Sequence, residues 1–118
     1  MVAKYKLVIF FALFFLKATS VSAEFAVEDY HQFKGNAPQF DDYLTGLGRG
    51  VFWSNTVLEV EGRDKIFCMP SGLSLDQGII LSVIDQEVRS PANRDSWGND
   101  APIELIAVHA FKNKFPCS

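Results

Sequence analysis

Only two cysteines, Cys68 and Cys117, and two histidines, His31 and His109, occur in the 118 residues. Two cysteines and two scattered histidines show none of the ligand spacings of a zinc site, so neither a metal nor another cofactor is expected. A phosphate-cradling glycine loop is missing as well. Gly46-Leu47-Gly48-Arg49-Gly50 has Val51 next, where a dinucleotide fingerprint requires glycine. No stretch alternates apolar and polar residues between hairpin turns, which argues against a sheet. There is no internal repeat, no low-complexity tract, and no apolar run long enough to span a bilayer.

The longest apolar run, Leu7 to Leu16, is about ten residues and follows Lys4 and Lys6. Small and polar residues follow it, ending in Val21-Ser22-Ala23. A positive start, a short apolar centre and small residues before a cleavage point make residues 1–23 a secretory signal peptide, cut after Ala23. The exported chain would then be one domain of 95 residues, 24–118, periplasmic and without membrane attachment once cleaved. Loss of Lys4, Lys6 and Lys17 reduces 11 basic residues to 8 against an unchanged 14 acidic ones, a net charge of -6. That balance excludes polyanion binding, because nucleic acid affinity depends on clustered Lys and Arg, and it favours a basic partner. Seven phenylalanines remain after residue 23, enough aromatic surface for a compact core.

Because an exported chain meets an oxidising compartment, Cys68 and Cys117 read as a disulfide. Closing a loop of about 50 residues contributes about 4 kcal/mol in the chain-entropy account, a large share of a small domain's stability.

What remains is helical in pattern. Phe40, Leu44, Leu47, Val51 and Leu58 recur at steps of four, three, four and seven, placing one stripe on a helix from about Pro38 to Val60. Asp42, Thr45, Arg49 and Thr56 fall opposite it. Gly46, Gly48 and Gly50 inside this helix imply close approach of a neighbouring helix. Ser74-Leu75-Asp76-Gln77 has the form of a capping box and opens a second helix, with Leu75, Ile79, Ile80, Val83, Ile84 and Val88 inward and Gly78, Ser82, Asp85 and Arg89 outward. Ser90-Pro91 stops it. A polar loop follows, carrying Trp97. Asp100 is placed to cap a third helix with Pro102 in its first turn, and Ile103, Ile106, Ala107, Ala110 and Phe111 fit the apolar template of that helix throughout. Leu105 and Val108 lie off its stripe, as for a second buried surface such as a homodimer contact, or for ordinary partial burial. Glu28 to Gly35 has the composition of a short helix. The expectation is an all-α bundle of three to four main helices with one disulfide.

Catalytic groupings are absent. Asp41 and Asp42 are adjacent, and neighbouring helical residues point about 100° apart, so they do not converge on one atom. His109 lies off its helix's core stripe. The chain is therefore expected not to be an enzyme.

Phe67-Cys68-Met69-Pro70-Ser71-Gly72-Leu73-Ser74-Leu75-Asp76-Gln77, the long apolar helix after it, and Ala110-Phe111-Lys112-Asn113-Lys114-Phe115-Pro116-Cys117 resemble the Rap/Tai immunity family. Tyr43-Leu44-Thr45-Gly46 matches the aromatic-apolar-x-glycine pattern of that family's first helix. The resemblance runs from about Phe40 to Cys117, and the chain departs from the commoner pattern in having no further cysteines around the first helix. It implies a small exported helical protein that neutralises a peptidoglycan amidase delivered by a type VI secretion system. Inhibition of an enzyme groove requires a protruding element, and the loop from Arg89 to Asp100 is the candidate, with Trp97 as anchor and Arg94, Asp95 and Asn99 as polar contacts. A periplasmic acid-stress chaperone, another small single-disulfide helical class, is the alternative.

Overall fold

The computed structural model describes residues 24–90 and 97–118. The signal peptide reading and the loop residues Arg94 and Asp95 lie outside them. The described residues form four helices and no strand, 62% helical, with one disulfide. The helices are α1 (Val27–Phe33), α2 (Pro38–Val60), α3 (Gln77–Arg89) and α4 (Ile103–Lys114). Among the described residues, no helix is long and apolar enough to cross a membrane.

At seven residues, α1 is too short to be stable alone. The Asp29 carboxylate accepts the Ala26 amide at 2.8 Å, closing its first turn, and Gly35 ends the segment at φ 78°. Tyr30 anchors the helix in the core at 1% exposure. Its hydroxyl donates to Asp85 on α3 at 2.5 Å.

α2 begins with Pro38 in its first turn, where a missing N–H costs little, and its 23 residues span roughly 34 Å. It stops where Gly62 adopts φ 68°. The Gly62 amide donates to the Glu59 carbonyl, and the Arg63 amide to the Leu58 carbonyl, capping the last turn as a left-handed glycine allows. The expected stripe holds at Phe40 and Leu44, which are buried, and grades to half-buried at Leu47, Val51 and Leu58. Thr45, expected on the outer face, is buried instead. Its hydroxyl donates to the Asp41 carbonyl, which satisfies it within its own helix, and accepts the Gln77 amide of α3 at 3.0 Å. The three glycines divide. A Cβ on Gly48 would lie 2.4 Å from Ile80 of α3, so close helix approach holds there, whereas Gly46 and Gly50 face open space.

Between α2 and α3 the chain is organised by Asn55, 6% exposed. Its side-chain oxygen accepts the Ile66 and Phe67 amides at 2.7 and 3.2 Å, and its amide donates to the Phe67 carbonyl at 2.9 Å. This clip inserts the Phe67 ring, fully buried, against Phe111 of α4, the ring centroids 5.2 Å apart. The next residue, Cys68, donates its amide to the Phe115 carbonyl and forms the expected disulfide with Cys117.

α3 starts later than the capping box predicts. Asp76, not Ser74, is its cap, accepting the Ile79 amide at 2.9 Å, because Gln77 is drawn across to Thr45. α4 corrects a second cap. Asp100 is exposed and plays no such part, Pro102 is the cap residue, and Ile103 donates its amide to the Phe25 carbonyl at 2.8 Å. An acceptor from the start of the domain thus replaces a local side chain. The five residues of the α4 template are all buried. α3 and α4 share the most extensive contact, and α2 closes over both.

Candidate interaction surface

Trp97 emerges from the loop after α3 half-buried, not as an exposed projection. Its ring sits edge-on to His109 of α4 with centroids 5.1 Å apart, and its indole N–H donates to Glu87 of α3 at 3.4 Å. Glu87, only 5% exposed, also accepts the Asn113 side-chain amide on both oxygens, at 3.1 and 3.0 Å. A buried carboxylate is tolerated when it is hydrogen-bonded in this way. Beside it a cleft of about 210 Å³ opens, with Val83, Glu87 and Ala110 inward and Gln86, Ser90 and Lys114 around it. The indole is thereby held in one orientation at the end of the loop, by groups on two helices.

Of the four residues read from sequence as partner contacts, Trp97 and Asn99 fall within the described residues. Asn99 is exposed, and its carbonyl accepts the Glu28 amide of α1 at 3.0 Å, fixing the end of the loop to the first helix. Asp100 then turns toward Gly98, where a Cβ would meet the Asp100 carboxylate at 2.7 Å. Glu87 and Asn113, which hold the indole, were not singled out from sequence. The only sequence signal for Glu87 is a charged residue between Ile84 and Val88 on the inward arc of α3.

Two other surfaces stand apart from this one. Trp53, Val57 and Val60 expose 63, 52 and 82% of their surface along one face of α2, and Leu105 exposes 46% on α4. Val108 is half-buried. A groove of about 290 Å³ lies between Phe25, Phe33, Phe40 and Tyr43, almost wholly apolar.

Two tyrosines are tied to carboxylates. Burial raises the Tyr30 hydroxyl well above its ordinary range, reinforced by its bond to Asp85 and that residue's charge. Tyr43 is raised likewise by burial, then by its bond to Glu104. Burial acts to raise Asp85, but hydrogen bonds from Tyr30 and Arg89, with the charges of Arg89 and Lys34, carry it below the usual carboxylate range. Both tyrosines thus keep their protons and act as hydrogen-bond donors that hold helices together. Asp41 faces Lys34 at 3.4 Å and Asp42 is exposed, so the adjacent carboxylates do part company. Among the described residues, no group of three or more His, Cys, Asp or Glu is arranged to hold a metal ion.

No protein-family model, curated protein or solved structure matches the chain.

Proposed function

We propose that the chain is a periplasmic immunity protein that binds a type VI-delivered peptidoglycan amidase and blocks its groove. The observation that carries this reading is the orientation of Trp97, fixed by Glu87 and His109 at the end of the loop on a disulfide-tied bundle. An aromatic anchor whose rotamer is set before binding loses less entropy on association, which is what a tight inhibitor requires. Supporting it are the export-type leader, the net charge of -6 after residue 23, and the Phe67-Cys68-x-Pro70-x-Gly72 and Phe115-Pro116-Cys117 motifs of the Rap/Tai resemblance.

Titration calorimetry with a purified candidate amidase tests the proposal. Trp97→Ala should weaken binding by about 30-fold, the effect of losing an anchor worth about 2 kcal/mol. Because Trp97 also packs on the bundle, Asn99→Ala serves as the exposed partner variant, expected to weaken binding with the fold intact. Unchanged affinity in both variants would sink the loop assignment.

A second reading, the acid-stress chaperone, is favoured by one observation: Asp85, Glu87 and Glu104 each accept a hydrogen bond that joins separate elements. Protonating Asp85, whose partners hold it below the usual carboxylate range, would loosen the bundle and expose apolar surface. Circular dichroism and an aggregation-suppression assay at ~pH 3 decide between the two, since a chain that stays folded and inert there is no acid chaperone.

A further inference from the structure

Residues 24–26 run antiparallel to the approach to α4. Ala26 bridges Pro102, and the Phe25 carbonyl accepts the Ile103 amide at 2.8 Å. Glu24 is the residue before this bonded pair, and Glu104 lies in the first turn of α4. The two acids also converge on Tyr43, which donates its hydroxyl to Glu104 Oε1 and feels the charge of Glu24. The second oxygen, Glu104 Oε2, is buried and has no hydrogen-bond partner. The ion pairs among the described residues, Lys34–Asp41, Arg63–Glu61, Lys65–Glu59 and Arg89–Asp85, leave Glu104 without a cation. A shielded carboxylate oxygen lacking a donor is an unfavourable arrangement that a nearby cation would relieve.

We propose that Glu104 Oε2 receives the α-ammonium group created on Glu24 by cleavage after Ala23. This rests on the export reading for the position of the cut. In the uncut chain, residue 24 offers one neutral amide donor. Hydrolysis of the Ala23–Glu24 bond adds water, leaving a carboxylate on Ala23 and, on Glu24, an ammonium with three donors and a positive charge. Removal of the leader thus supplies the missing cation at the site where the chain's start meets α4, and the domain becomes more stable once processed. A charge-assisted bond formed there also fixes residues 24–26 against α4.

The test compares the chain from Glu24 to Ser118, released from a fusion with a free amine on Glu24, with the same chain Nα-acetylated. The whole core, from Val27 to Phe115, lies within it. At pH 6 the free-amine chain should melt about 4 °C higher. An amine held by a carboxylate titrates above its ordinary value of about 7.7–8.0, so its stabilisation is complete below that value and disappears as pH rises through the raised one. The gap should close at alkaline pH, and Glu104→Gln should abolish it at pH 6. Equal melting of the two chains at pH 6, or a gap that survives Glu104→Gln, overturns the assignment. Acetylation alters no side chain, so that comparison holds even if Glu104→Gln does not fold. N-terminal sequencing of the exported protein is the separate check: a start other than Glu24 refutes the processing step, whereas the melts refute the role of the carboxylate.

Discussion

Replacing each of the three α2 glycines with alanine should split them by sign. All three sit in the interior of the same helix, where glycine costs about 1 kcal/mol relative to alanine. At Gly46 and Gly50 an added methyl meets nothing within 4 Å, so Gly46→Ala and Gly50→Ala should each stabilise by about 1 kcal/mol. At Gly48 the same methyl would stand 2.4 Å from Ile80 Cγ2 and 3.2 Å from Cγ1. Ile80 is fully buried in a close-packed core, so relieving the clash requires Ile80 to shift or α2 and α3 to separate. Overpacking of this kind costs about 1–3 kcal/mol, and more where backbone has to move. Net of the propensity gain, Gly48→Ala should destabilise by up to roughly 2 kcal/mol, or about 4–8 °C per kcal/mol in Tm for a domain of this size. Urea unfolding followed by circular dichroism measures this directly, read as a shift in midpoint at constant slope. Ile80→Ala, which removes both clashing carbons, should couple to Gly48→Ala by about 1–3 kcal/mol in a double-mutant cycle. A Gly48→Ala variant as stable as Gly46→Ala would refute the close contact between α2 and α3.

Three further outcomes follow from other parts of the bundle. Asn55→Ala leaves the Ile66 and Phe67 amides and the Phe67 carbonyl without their partner, and should cost about 3 kcal/mol in urea unfolding. The folded-state shift of Asp85 is downward, so its contribution is present above the unfolded carboxylate value, about 3.9, and is lost as pH falls through the lower folded one. Asp85→Asn should therefore flatten the loss of Tm on acidification, and an unchanged acid limb would contradict the Tyr30–Asp85 tie. Reducing the disulfide, whose cysteines are 49 residues apart, should lower stability by about 4 kcal/mol, seen as a fall in urea midpoint with dithiothreitol.

Sequence periodicity located α2 to its end residues and the inner face of α4 completely, because both rest on local apolar spacing and on Pro38 as a start signal. The disulfide was legible from cysteine number and export context together. What local pattern could not show was every feature set by a distant partner. Thr45 is polar by residue type and buried by its bonds to Asp41 and Gln77. Glu87 and Asn55 are polar residues inside the fold because Asn113, Trp97 and the 66–67 backbone complete them. The start of α4 was misassigned to Asp100 for the same reason, since the acceptor that closes it lies 78 residues earlier, at Phe25. Trp97, a loop residue in a polar stretch, gives no sequence sign that His109 and Glu87 hold it.

The attachments of α4 also bear on the order in which the molecule can be made. Its first turn is bonded to Phe25 and its last to Cys68, and its own residues supply Ile103, Ile106, Ala107, Ala110 and Phe111 to the core. A ribosome produces this helix after the other three. Until it emerges, α1, α2 and α3 can touch one another but lack the five α4 side chains at the centre of the core, so the bundle cannot close on a complete core. A nonsense codon shortly before residue 103 would yield no smaller version of the domain, only a chain with its centre missing.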